Sequence, residues 1–376
     1  MKISLISDNL QKKLMYVNHA ISTRSQLPIL LNFLLEAKEG KLTISATDLE
    51  IGITAEVPAK TEKKGTATVP AKTFVELVGM LPSGKITLET TEEGLEVSGV
   101  NEKNIFQTSP AEEFPKLYED KGQQIMELKK EGIEKEFSKI VFAASPDSER
   151  PALSGVLVKE GEDGFLLVAT DGYRLSLKKH ALQNVRKKQT EEKISIIIPS
   201  RVVRELIQMG KDTEGEGVGV YVSKEKNQIL FSQGDTILIG RLIEAEFPNY
   251  EKIIPTDFST KTTIDKESLQ KAIKEGNVFA RQTAGIIKLS IQKNKIVISA
   301  NAPSVGKNQI EIEAKTTGEE NEIAFNARYL LDFMSNTESE TISFEMNGPL
   351  NPGVFKETDD PSFMHLIMPI RVQQGE

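Results

Sequence analysis

At 376 residues the chain is long enough for two or three domains, each able to bury a core of its own. It contains no cysteine, which excludes disulfides, thiol catalysis and cysteine-bound zinc, and its three histidines (His19, His180, His365) are too scattered for a histidine metal centre. A net charge of −8 argues by itself against a nucleic-acid partner, so the placement of the charges has to be read separately.

Residues 1–8 alternate as a strand does and do not open a signal peptide. No apolar run approaches the roughly 18 residues that a membrane span needs, so a soluble cytoplasmic protein without a membrane partner is expected. Asp8 then reads as the N-cap of a helix, with Gln11 three residues on. Leu10, Leu14, Val17 and Ile21 form its apolar stripe, and Lys12, Lys13 and His19 its other face. After the strand that contains Ala46-Thr47-Asp48, a second helix starts behind Pro70, with Phe74, Leu77 and Val78 inward and Lys72 outward. Strands 85–90 and 95–98 make a hairpin, and Phe114-Pro115 leads into a loop at 119–123 that reads as a domain joint.

The plan then restarts. Ile133, Phe137, Ile140 and Ala144 form a stripe, with Lys135 and Lys139 expected to face away. Strand 166–170 runs into the turn Asp171-Gly172, and a helix behind Pro199 buries Val202, Val203, Leu206 and Ile207 while Arg201, Arg204 and Gln208 share its outer face. A hairpin at 218–231 and the joint Phe247-Pro248-Asn249-Tyr250 close this third. In the last third Asp265 caps a helix with Leu269, Ala272, Ile273 and Gly276 inward and Lys271 and Lys274 outward. Asn326 caps another, carrying Leu330, Phe333 and Met334 inside and Arg328 outside.

Ala46, Ala169 and Ala300 sit at matching places in matching strands, and Pro70, Pro199 and Asn326 open matching helices. Common order and a spacing of about a third of the chain mean one supersecondary plan written three times. The expected fold is α+β, with each third placing two helices on antiparallel sheets. Domain borders are placed at 1–122, 123–254 and 255–376. The acid gathers in strands and loops, while the six outer helix faces are rich in Lys and Arg.

No phosphate loop, nucleophile elbow or His-Glu-x-x-His pair is present, so the chain reads as non-catalytic, with no cofactor and no metal. Thr170-Asp171-Gly172 reads as an Asx-type turn rather than a metal-carboxylate loop. Leu366 and Met368 belong either to a last core strand or to a groove at the second joint where a partner peptide docks.

Leu27-Pro28-Ile29-Leu30, Thr47-Asp48-Leu49-Glu50, Val69-Pro70-Ala71-Lys72, Ala169-Thr170-Asp171-Gly172-Tyr173-Arg174-Leu175, Phe247-Pro248-Asn249-Tyr250 and Met368-Pro369-Ile370-Arg371 together resemble the bacterial sliding clamps, the beta subunits of DNA polymerase III. The resemblance covers the whole chain. It implies three tandem DNA-clamp domains per chain and a head-to-tail homodimer closed into a ring around double-stranded DNA. It also implies a nucleoid-associated protein that tethers the replicative polymerase, the clamp loader and repair proteins through short peptides of the Gln-Leu-x-Leu-Phe kind.

By the same resemblance Arg24, Lys72, Arg150 and Arg201 meet phosphates, and Arg204 joins them by its place on the outer helix face. The implied peptide pocket comprises Leu153, Thr170, Gly172, Tyr173, Arg174, Leu175, Pro248, Ile253, Leu366 and Met368. A second part uses Asn326, Tyr329, Leu350, Pro352, Pro369 and Ile370. Ile105 and Phe106 are expected to meet Val278 and Phe279 of the other subunit. Tyr173 replaces a frequent histidine, Ser200 a frequent basic residue, and Pro151-Ala152 stand where some relatives carry aromatics. Two alternatives are a peptide-binding scaffold of the same fold that does not encircle DNA, and a phosphotransferase with Asp48 and Asp171 as metal ligands.

Overall fold

The structure, a computed structural model, describes residues 1–22, 25–118, 121–147, 149–181, 186–187, 193–212, 215, 217–223 and 227–371. Arg24, the 119–120 part of the first joint, the 224–226 turn and residues 372–376 lie outside them. Among the described residues six α-helices form: α1 Ser7–Val17, α2 Ala71–Met80, α3 Lys130–Val141, α4 Ser200–Asp212, α5 Lys266–Ala280 and α6 Ala327–Ser335.

The apolar stripes hold. Leu10, Leu14 and Val17 of α1, Phe74 and Val78 of α2, Leu269, Ala272 and Ile273 of α5, and Leu330, Phe333 and Met334 of α6 are buried. Asp265 and Asn326 cap as expected, accepting hydrogen bonds from Ser268 N at 2.8 Å and Arg328 N at 2.9 Å. Asp8 does not cap. It lies inside the first turn of α1 and accepts from Ser83 Oγ at 2.9 Å, because the helix already starts at Ser7 behind Ile6.

The chain folds into two compact units: residues 1–134, 185–192 and 201–242 in one, and 135–184, 193–200 and 243–376 in the other. Neither unit follows the sequence repeat, since a sheet in each runs across a repeat border. In the first unit a nine-stranded sheet joins Thr236–Arg241 to Ile51–Pro58, pairing Ile239 with Gly52 and Ile237 with Thr54. A separate five-stranded sheet ends on the edge strand Lys103–Phe106. In the second unit a twelve-stranded sheet joins Arg174–Ala181 to Phe363–Ile367, pairing Leu175 with Leu366 and Leu177 with Met364.

The two crossings are built alike. Leu34 pairs with Ser45 on one side and Thr68 on the other, and Leu157 pairs with Val168 and Ile197 in the same way. Phe114 lies over the first crossing, packed with Ile29, Leu30, Leu34 and Leu117. Phe247 and Tyr250 lie over the second.

Candidate peptide groove and nucleic-acid face

The candidate groove begins with a turn. Thr170 Oγ1 donates to Arg174 O at 2.6 Å and accepts from Gly172 N at 3.0 Å, while Asp171 Oδ1 accepts from Tyr173 N at 2.9 Å and Arg174 N at 3.0 Å. Gly172 has φ +90°, which suits a residue without Cβ. The Asx reading of 170–172 therefore stands, and both oxygens of Asp171 are engaged, since Oδ2 takes Arg174 Nε at 3.0 Å.

Arg174 is a strut rather than a free cation. Its other nitrogens reach Asp332 Oδ2 at 2.5 Å and Phe142 O at 2.9 Å, and its guanidinium lies 4.6 Å from the centre of the Tyr329 ring. It thus ties the turn to α6 and to the end of α3. Burial pushes the Tyr329 phenol up, and the Asp171 charge adds to the effect.

The floor is an apolar cluster of Leu157, Val168, Leu175, Leu177, Ile197, Tyr250, Val354 and Leu366, with Leu166, Ile243, Phe247, Ile254, Phe258 and Met364 packed against it. Leu175 and Leu366 are fully buried, so they set the floor and leave contact to their neighbours. Four of the expected pocket side chains are exposed, Tyr173 (60%), Leu350 (61%), Ile253 (42%) and Met368 (37%), with Ile253 next to Ile254 and Pro248 next to Phe247 in the chain. Met368 N donates to Tyr173 O at 2.8 Å, which holds these two rim residues together, and Ile370 N donates to Ala324 O at 2.8 Å. Leu153, in the 3-10 turn Pro151–Leu153, and Pro352, Pro369 and Ile370 are half-buried. Thr170 and Arg174 are buried in the turn, and the Asn326 side chain is engaged as the α6 cap.

On the opposite face of the last strand lies a residue that sequence reasoning passed over. His365 is fully buried; its Nδ1 sits 2.8 Å from Ser176 Oγ, its ring stacks on Phe333 at 5.2 Å, and among the described residues Nε2 has no hydrogen-bond partner. Burial, helped by the Arg174 charge, holds it well below its ordinary pKa.

Lys139 is a correction. It was expected on an outward face, yet it is buried, with Nζ 2.5 Å from Glu357 Oε2 and 3.1 Å from Asp360 Oδ2. Lys178 also pairs with Asp360 and lies 3.5 Å from Glu136. Despite its partial burial, Asp360 is held far below the usual carboxylate range by hydrogen bonds from Lys178, Ser362 and Lys139. Lys139 stands next to Ile140 of the apolar stripe, so its direction depends on which carboxylates the 357–360 loop brings to it.

Lys72 of α2, Arg204 of α4, Lys271 and Lys274 of α5 and Arg328 of α6 are exposed. Arg150 is exposed too and lies beside the Gly172 turn rather than on a helix, since a Cβ placed on Gly172 would be 3.8 Å from its Nη1. The Arg201 charge is met by Asp48, and its Nη2 donates to His19 O at 3.2 Å. Asp48 Oδ1 accepts from Glu50 N and Ile51 N, so its oxygens are also taken. Ile105 (39% exposed) is on the edge strand Lys103–Phe106 and Val278 (51% exposed) on α5. Phe106 packs edge-to-face on Phe74 at 5.5 Å, and Phe279 is half-buried. No helix among the described residues is long and apolar enough to cross a membrane.

Tandem αβ repeats with cationic helix faces, joined edge to edge into long antiparallel sheets, define the DNA-clamp class of fold. Three family models match in succession, the N-terminal domain of the DNA polymerase III beta subunit at residues 1–118, the central domain at 127–249 and the C-terminal domain at 251–371. A beta sliding clamp of Synechococcus elongatus is 30% identical over 382 residues, covering 99% of this chain and 100% of that relative. One from Staphylococcus aureus is 29% identical over 94% of each. The crystal structure of the Thermotoga maritima DNA polymerase III beta subunit superposes with a TM-score of 0.89 at 27% identity. The Bacillus subtilis sliding clamp gives 0.91 at 25%, and in both cases 99% of each chain is covered. The chain belongs to the DNA polymerase III beta subunit family, the bacterial sliding clamps.

Proposed function

We propose that two copies of this chain close head to tail into a ring around duplex DNA and hold replication proteins to it by enclosure. Each chain would contribute three clamp domains with borders at 1–122, 123–254 and 255–376. The observation that carries the reading is a cation recurring on the outer side of the repeated helices: Lys72, Lys135, Arg204, Lys271, Lys274 and Arg328 are exposed on helices whose opposite sides are packed core, with Glu76, Glu134 and Glu275 exposed on three of the same helices. Such a face meets phosphates of any sequence, and non-specific affinity of order 10⁻⁴ to 10⁻⁶ M leaves the ring free to slide. Arg24, Arg150 and Arg201 belong to the same proposed contact, with Arg201 sharing its charge with Asp48.

Peptides from polymerases, the clamp loader and repair proteins would dock at the second joint, over the apolar floor and between Tyr173, Ile253, Leu350 and Met368. Burying two or three partner side chains at about 1.5–3 kcal/mol each suits weak, exchangeable binding near micromolar, roughly −8 kcal/mol. The chain performs no chemistry of its own. Asp48 and Asp171, the carboxylates that an enzyme reading would use, have their oxygens engaged by backbone N–H groups and arginines. Ile105 and Val278 are the exposed residues proposed for the subunit contact.

Sedimentation at micromolar concentration tests the ring. A species of twice the chain mass is expected, reduced to the single chain by Ile105→Asp together with Val278→Asp. A single-chain mass for the unaltered protein would end the proposal.

A further inference from the structure

The first joint carries a cavity of about 820 Å³ between the sheet face and the connector that crosses it. On its floor Ser45 and Thr54 share a hydroxyl contact at 3.1 Å, and Thr43, 4% exposed, has no hydrogen-bond partner for its Oγ1 among the described residues. On its connector side are Phe114, Leu117 and Tyr118. Leu117 reaches down onto Gly52, where a Cβ would stand 3.3 Å from its Cδ2 and 3.4 Å from Ile239 Cδ1. Register makes Gly52 the counterpart of Leu175 and Ile239 that of Leu366. The sheet therefore has a leucine-sized gap at the first joint, and the connector fills it from above.

We propose that the first joint is a second groove for an extended peptide, occupied in this structure by the chain's own connector. The ligand it takes is a peptide with one aliphatic side chain for the Gly52–Ile239 slot and polar neighbours for the Thr43, Ser45 and Thr54 hydroxyls. Leu117 identifies the aliphatic residue, because it is already seated there. The unpartnered Thr43 hydroxyl identifies the polar part, since a buried hydroxyl left unpaired favours any ligand that supplies a hydrogen bond. The connector is only half-buried at Leu117 and Tyr118 and pairs with no strand there, so it lifts more readily than a strand, at the loss of the hydrogen bond from Gln228 Nε2 to the Leu117 carbonyl at 3.2 Å. The inference stands whether or not the second joint takes peptides.

The probe is the connector's own sequence, acetyl-Phe-Pro-Lys-Leu-Tyr-amide, titrated calorimetrically into unaltered protein and into Leu117→Ala. The variant is expected to bind one molecule per chain more than the unaltered protein, with new amide-exchange protection in Lys41–Thr47 and Ile51–Pro58. Changing the probe's leucine to alanine should weaken that extra binding by about 10-fold or more. Adding Gly52→Leu to the variant, which fills the slot from below, should abolish it. Equal stoichiometry in the two proteins overturns the proposal.

If Leu117→Ala does not fold, Leu117→Cys in a chain that has no other cysteine decides the matter. Maleimide labelling at a rate unchanged by mild urea supports a lifting connector. Labelling that follows global unfolding alone contradicts it.

Discussion

At the first joint the sheet offers Thr43, Ser45, Gly52, Thr54 and Thr68; at the second, the positions in matching register hold Leu166, Val168, Leu175, Leu177 and Ile197. The turns that border the two floors share their hydrogen bonds as well. Thr47 and Asp48 bond to residues 49–51 as Thr170 and Asp171 bond to 172–174. Backbone is thus held constant while the chemistry of one face changes from hydroxyl to aliphatic. The ties differ too. Lys13 pairs with Asp235 at the first joint in partial exposure, whereas Lys139 and Lys178 meet Glu357 and Asp360 in burial at the second.

The difference in ties gives the largest expected effect. Lys139→Met should destabilise the second unit by about 3–5 kcal/mol, because Glu357 loses its buried cation and Asp360 keeps only Lys178, while Asp235→Asn should cost the first unit under about 1 kcal/mol. Urea melts of the two variants check this, and equal losses would erase the contrast between the joints. Next, Tyr173→Ala with Met368→Ala removes two exposed rim contacts. It should weaken a Gln-Leu-x-Leu-Phe peptide by about 10- to 100-fold in calorimetry with the melting temperature unchanged.

Acidification should separate the units. The folded state keeps His365 neutral while the unfolded chain protonates it near its ordinary value of 6.5. Stability is therefore whole above that pH and falls as pH drops below it, by up to about 1.4 kcal/mol per pH unit. The depressed Asp360 adds a second loss as pH falls below its ordinary 3.8. Leu238 is the counterpart of His365 by register, so the matching position in the first unit carries no buried imidazole, and His365→Leu should flatten the fall in stability of the second unit below pH 6.5 in amide-exchange measurements.

The smallest effect concerns the turn. Leu49 has φ +78° where its counterpart is Gly172, so Leu49→Gly should stabilise the first unit by about 0.5–1 kcal/mol, read from its urea midpoint.

The repeats, all six helices and the Asx turn were legible because apolar period, capping residues and Thr-Asp pairs act over a few neighbours. Arg174, Lys139 and His365 were not legible in this way. Arg174 finds Asp332, Lys139 finds Glu357 and His365 finds Ser176 across 150 residues or more, and a lysine beside an apolar stripe looks the same whether water or a carboxylate waits for it. The groove was readable only as a set of apolar residues. That Leu175 and Leu366 form its floor and Tyr173 and Met368 its rim follows from strand pairing.

Enclosure is what separates a sliding ring from an ordinary DNA-binding protein. Protein assembled on a nicked circular duplex should remain bound through high-salt gel filtration and be lost at once when the circle is cut to a linear form. Loss from both forms at the same rate, or retention on linear DNA with free ends, would contradict it.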